Sequence, residues 1–211
     1  GTGGTEHDLL QLGRRISPEA TLIGIRGDIN ERGMNRYFKR FGPGVFDESS
    51  IIHETKKLYD EIHMLKQTYQ LNDKEWYVLG YSNGANIASS LIFHYPKLFK
   101  KAWLFHPMKP FKTFAYPSFK DLEVFVAAGR NDPIVTQEET LELIDIYDQH
   151  QAYIETCWSS EGHRISMVTV QAAHDFFQKK KDNWSFFCRK KSMIDCIAFI
   201  DSFKYVSSCG T

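Results

Sequence analysis

The stretch VLGYSNGAN, residues 78–86, leaves few folds open to this chain. An apolar run of strand character ends in Gly80-Tyr81-Ser82-Asn83-Gly84, and a small-residue run of helical character follows. A strand that reverses into a helix within two residues forces the middle residue into an unusual backbone conformation. Glycine on either side removes the Cβ atoms that would strike the adjoining strand and helix. Such a bend lifts Ser82 Oγ above the carboxyl ends of parallel strands, with a helix N-terminus beneath it. The Asn83 backbone N–H then points to where an oxyanion would form after attack on a carbonyl. An ordinary strand–helix turn can carry the same five residues, so the rest of the chain has to supply a base and an acid.

Strand and helix patterns alternate on both sides of this bend. Short apolar runs bounded by polar residues predict strands at 21–25, 76–79, 101–105, 122–127 and 153–158. Helices are predicted at 49–69, where Ile52, Leu58, Ile62 and Leu65 recur at helical spacing, and at 83–94. Two more are predicted at 137–150, with Leu141, Ile144 and Tyr147 on one side, and at 167–178. Alternation of this kind means an α/β fold, a mostly parallel sheet with helices on both faces. The segment 26–44 is basic, aromatic and punctuated by glycine; it reads as a surface excursion, either solvated or covering a pocket. From residue 179 the alternation stops. That stretch holds seven basic residues against three acidic ones and an apolar-aromatic patch at 193–206. The expected organisation is therefore a 1–178 domain followed by a 179–211 basic and aromatic appendage, whose role is open.

Composition narrows the partners. Twenty-six basic residues balance twenty-six acidic ones, so no global charge favours nucleic acid. No apolar run approaches the roughly 18 residues of a membrane span. The four cysteines, Cys157, Cys188, Cys196 and Cys209, form no C-x-x-C pair and no zinc-ligand spacing with the eight histidines. The expectation is reduced thiols in a cytoplasmic protein with no metal.

A serine hydroxyl needs a base to take its proton. Gly162-His163-Arg164 follows the last predicted strand, so His163 sits on a loop at the carboxyl edge and can reach over the sheet to Ser82. His106 follows the 101–105 strand and is the rival at the same edge. His53, His63, His94 and His174 fall within helices, where a face position is the plain reading; His7 and His150 lie near a loop and a helix end. Asp132, in Gly129-Arg130-Asn131-Asp132-Pro133, follows the 122–127 strand on a loop stiffened by proline, although Asp before Pro is also a common turn choice. Asp121 precedes its strand and lies at the wrong end. The chain order Ser82, Asp132, His163 is that of α/β-hydrolase triads.

With these pieces placed, the chain resembles the phospholipase/carboxylesterase group of α/β-hydrolases, close to acyl-protein-thioesterase-like esterases and their bacterial branch. The stretches that carry the likeness are GTGGTEHDLL, RGMNRYFKRFGPGVFDE, LGYSNGANIASSL, LFHPM, AGRNDPIV and EGHRIS, spread over most of residues 1–178. The resemblance implies hydrolysis of carboxylic esters, thioesters included, of a small-molecule substrate and without a cofactor. It also implies that the Thr2 backbone N–H partners that of Asn83 in the oxyanion hole. In the family pattern one or two strands precede the loop at Gly1, including one beside the nucleophile strand in mid-sheet, so the sheet is expected to lack its N-terminal strands. A catalytically impaired or binding module, or a lipase or peptidase on the same fold, would share these motifs. Oligomeric state is open, a dimer included.

Overall fold

The computed structural model describes residues 1–184, 196–200 and 206–207. A short helix, α1 (Leu10–Ile16), precedes strand β1 (Thr21–Gly24). Two small hairpins follow, β2 (Ile29–Glu31) with β3 (Met34–Arg36) and β4 (Arg40–Gly42) with β5 (Val45–Phe46). The chain then alternates through α2 (Glu48–Thr68), β6 (Trp76–Tyr81), α3 (Asn83–His94), β7 (Lys101–Phe105), β8 (Glu123–Gly129), α4 (Gln137–Gln149), β9 (Tyr153–Ser159) and α5 (Met167–Trp184). Two more strands, β10 (Cys196–Ile200) and β11 (Val206–Ser207), complete a seven-stranded sheet of order β11-β1-β10-β6-β7-β8-β9. All neighbours in it are parallel except β11, which runs antiparallel to β1.

The inner position beside β6, the strand that leads into Ser82, is thus occupied. β10 lies between β1 and β6, with Cys196 opposite Trp76 and Ile200 opposite Gly80. An empty slot there would leave two rows of backbone donors and acceptors unpaired inside the sheet. The boundary expected at residue 178 is also crossed, because α5 runs on to Trp184. Over its described residues the C-terminal stretch joins the fold in three places, the end of α5, β10 and β11; the remainder of 179–211 lies outside the described residues.

Helices cover both faces, and strand alternation divides the core in two. Val78, Leu104, Val124 and Val126 face α2, α3 and α4, packing with Ile51, Ile62, Leu91, Phe93 and Tyr147. Tyr77, Leu79, Trp103, Phe105 and Phe125 face the other way and pack with Leu12 and Ile16 of α1 and Phe176 of α5. Trp103 is fully buried there and donates its indole N–H to the Ala173 carbonyl at 3.1 Å. It belongs to the core.

Two helix faces differ from the spacing argument by one residue. In α2 the inward set is Ile51, Thr55, Leu58, Ile62 and Leu65, while Ile52 is half exposed. The helix begins one residue earlier than expected because Asp47 caps it, accepting from the Ser50 N–H at 3.1 Å. In α4, Thr140, Leu143 and Tyr147 turn inward and Leu141 outward. No helix among the described residues is long and apolar enough to cross a membrane.

The 26–44 segment is more than solvated loop. Tyr37 and Phe38 are buried, and so is the Arg36 side chain. The Tyr37 N–H donates to Asn83 Oδ1 at 2.8 Å, and its hydroxyl donates to the Ile25 carbonyl. The Lys39 N–H donates to Ser50 Oγ at 3.0 Å, and its carbonyl accepts from the Asp47 N–H at 3.1 Å. The segment is therefore tied to the first turns of both α3 and α2.

Candidate active site

Ser82 joins β6 to α3 with φ 53° and ψ −117°. That is outside every ordinary well for an L-residue with a side chain, and such strain persists only where the surroundings over-determine it. The surroundings do so here. The Ser82 N–H is held by the Phe105 carbonyl at 2.8 Å, and the Ser82 carbonyl accepts from the Asn86 N–H at 3.1 Å, inside α3. Beneath the bend, a Cβ on Gly80 would lie 2.5 Å from the Gly84 carbonyl oxygen, so only glycine lets the helix start this close to the strand.

The three side chains expected to act together do meet. Ser82 Oγ lies 2.9 Å from His163 Nε2, and His163 Nδ1 lies 2.7 Å from Asp132 Oδ2. Asp132 Oδ1 accepts from the Ile134 and Val135 N–H groups at 2.8 and 3.1 Å, which fixes the plane of the carboxylate. The Asp132 side chain is almost wholly buried and that of His163 nearly so. Burial works to raise the Asp132 pKa, but hydrogen bonds from Ile134, His163, Val135 and His106 outweigh it and hold the group below its ordinary value. His163 is held below the ordinary imidazole value, chiefly by burial, against the opposing pull of Asp132. An ionised acid beside a neutral imidazole is the resting state that a general base requires.

His106, the rival base, does not reach the serine. It too has a positive φ, 52°, and its ring turns into the protein. Its Nδ1 lies 2.8 Å from the same Asp132 Oδ2 and its Nε2 lies 2.9 Å from the Arg164 carbonyl oxygen. The sequence placed this residue at the correct edge of the sheet; nothing in it revealed which way the ring faces. His106, Asp132 and His163 also present metal-ligand atoms within 4.8 Å of one another. The two Nδ1 atoms, however, stand at ordinary hydrogen-bond distance from one oxygen, closer than two ligands sharing an ion about 2.0–2.2 Å from each.

Tyr81 was not anticipated. Its hydroxyl donates to the His163 carbonyl at 2.8 Å, and its ring centroid lies 5.4 Å from that of His163 and 5.9 Å from that of His106. It stands next to Ser82 in sequence, and that adjacency is the one signal that could have flagged it.

The loop at Gly1–Gly4 lies against the serine: a Cβ on Gly1 would come 3.0 Å from the Tyr81 ring and 3.7 Å from Ser82 Cβ. The hairpin formed by β2 and β3 holds this loop. The Gly3 N–H donates to the Asn35 carbonyl at 2.8 Å, Asn35 Nδ2 donates to the Gly4 carbonyl at 3.3 Å, and an Arg36 guanidinium nitrogen donates to Thr2 Oγ1 at 2.6 Å. Burial, helped by nearby Arg40, draws the Arg36 pKa down to about 10, with Glu31 opposing. Asn83, the other expected oxyanion donor, is buried as the first residue of α3. From the sequence Arg36 was one of several basic residues of the 26–44 segment that could line or cover a pocket, and Asn35 was not named, because hairpin residues carry no pattern that names the loop they will support.

A cleft of about 250 Å³ opens at the carboxyl ends of the strands, between the hairpin formed by β4 and β5, the loop after β7 and α4. Gly44, Phe46, Met108 and Phe111 give it an apolar side, and Glu48, Lys109, Lys112, Glu139 and Glu142 a charged one. Met108 is held there by its N–H, which donates to Asn86 Oδ1 at 2.8 Å.

Comparison with known proteins agrees with this architecture. The family model described as the dienelactone hydrolase family matches residues 48–193. Over 179 residues the chain is 43% identical to MhqD of Bacillus subtilis (strain 168), a protein named as a hydrolase, covering 85% of this chain and 90% of that one. Among solved structures it is similar to the Bacillus cereus carboxylesterase, with TM-score 0.83 and 38% identity over 85% of this chain and 84% of that one. The carboxylesterase from Mesorhizobium loti gives TM-score 0.80 and 28% identity over 85% of each chain. These likenesses are consistent with the esterase group that the motifs resemble. The chain belongs to the dienelactone hydrolase family, with the α/β-hydrolase fold.

Proposed function

We propose that this chain hydrolyses carboxylic esters of small molecules through an acyl-enzyme on Ser82. The observation that carries the reading is the continuous hydrogen-bonded relay Ser82–His163–Asp132, with spacings of 2.9 and 2.7 Å, ending on a serine held at φ 53°. In the first half-reaction His163 Nε2 takes the hydroxyl proton as Ser82 Oγ attacks the ester carbonyl. Asp132 keeps the Nδ1–H tautomer facing it and stabilises the imidazolium that forms. Backbone N–H groups of Asn83 and Thr2 receive the developing oxyanion, and His163 returns its proton to the departing alcohol. Water, deprotonated by the same nitrogen, then releases the acid. Thioesters present the same carbonyl chemistry and are accepted in this reading.

In this reading the cleft beside Met108, with its apolar wall and charged rim, takes an acyl or alcohol group of modest size. A fluorophosphonate probe tests the assignment directly. The wild-type protein is expected to label on Ser82 and to cleave p-nitrophenyl esters, and Ser82→Ala to do neither. Labelling on another residue would overturn the nucleophile, and an unlabelled, inert wild-type protein would favour a binding module on the same fold.

A further inference from the structure

We propose that His106 is a second histidine of Asp132, protonated at both ring nitrogens in the resting protein, and acts as a positioning residue that keeps His163 a neutral base. The inference deepens the esterase reading and rests on it for its kinetic consequence, though not for the protonation state itself.

The argument begins with what each ring nitrogen of His106 faces. Nδ1 faces Asp132 Oδ2 at 2.8 Å and Nε2 faces the Arg164 carbonyl at 2.9 Å. A carbonyl oxygen can only accept, and so can an ionised carboxylate. Both nitrogens must therefore donate, which makes the ring an imidazolium. A neutral ring would set a lone pair against one of these oxygens inside a site where the His106 side chain has no exposure to water. The groups around it are Asp132 after β8, His163 and Arg164 after β9, and Tyr81 at the end of β6. Only Asp132 among them is anionic.

Two effects on His163 follow. The bond to the Arg164 carbonyl pins the residue after His163, while Tyr81 pins the His163 carbonyl itself, so the loop is held at two successive carbonyls beside the base. The positive charge also stands close, with the two imidazole centroids 4.8 Å apart. It offsets the Asp132 charge and disfavours protonation of His163. The base is thereby kept free of its proton in mildly acidic solution.

His106→Asn is the informative variant. Asparagine tolerates positive φ and can still donate to Asp132 Oδ2, but it carries no charge. Imidazole ¹⁵N spectra of the wild-type protein at pH 7, assigned with that variant, are expected to show both His106 nitrogens protonated. An unprotonated ring nitrogen at pH 7 would overturn the proposal, whether or not the protein turns over esters. In His106→Asn the His163 titration and the acidic limb of kcat/KM are expected to move to higher pH. Activity at pH 6, relative to its plateau, is then expected to fall about threefold or more. A limb and a His163 titration that both stay in place would refute the tuning role. If the wild-type protein proved inert towards esters, the esterase reading would fail while the two NMR titrations still decided the case for His106.

Discussion

Gly129 and Gly162 touch backbone to backbone: a Cβ on Gly129 would lie 2.2 Å from the Gly162 carbonyl oxygen. Gly129 ends β8 three residues before Asp132, and Gly162 precedes His163, so this contact sets how closely the acid and the base can approach. Gly129→Ala is expected to push the two loops apart. Displacement of about 1 Å at a reacting group costs on the order of 10²-fold in rate, and that loss in kcat/KM is the expected readout. Urea unfolding should show a companion loss of about 1–3 kcal/mol from overpacking.

The strained serine gives a stability prediction with the opposite sign. The pair φ 53°, ψ −117° is close to the mirror image of extended backbone, which glycine adopts without penalty. Ser82→Gly is expected to be more stable than Ser82→Ala by about 1–3 kcal/mol, the strain stored at such positions. Both are expected to lose activity by about 10⁴-fold or more, which paired thermal melts and ester assays would check.

Burial of His163 sets the pH dependence. Its conjugate acid forms only below the ordinary imidazole value of about 6.5. The active form is the neutral one, so kcat/KM should stay on its plateau as pH falls past that value and decline only below it. A limb centred above pH 7 would contradict the geometry described for His163 and its neighbours.

Arg36 offers a test of the loop at Gly1–Gly4. Arg36→Met removes the 2.6 Å bond to Thr2 Oγ1 and loosens the loop that carries Thr2, the proposed second oxyanion donor. A fall in kcat of roughly tenfold is expected, short of the ~10²–10³ that follows outright loss of an oxyanion donor. Arg40→Met also breaks a contact with Glu31, at 2.9 Å, but touches nothing at the serine. It should leave kcat near wild type.

The sequence made the order of the site legible because each group hangs on a short loop at the same edge of a parallel sheet. Once β6, β8 and β9 are recognised, Ser82, Asp132 and His163 must converge. What escaped it depends on rotation and not on position. His106 was rightly placed at that edge, but its positive φ turns the ring away from the serine and towards Asp132. Ile52 and Leu141 show the same limit on helices, since a one-residue shift in phase exchanges an inward face for an outward one. The pairing of β10 was hidden for another reason. Parallel partners need no nearness in sequence, so the apolar run Cys196-Ile197-Ala198-Phe199-Ile200 gives no hint that its slot lies between β1 and β6.

The ties of the 26–44 segment bear on how a guest reaches the serine. Tyr37 fastens it to α3, Lys39 to α2, and Asn35 and Arg36 to the loop at Gly1–Gly4. A flap secured at three places cannot swing as one piece, so the doorway keeps a set width and discriminates among arrivals by their shape at the threshold, without wrapping around them afterwards.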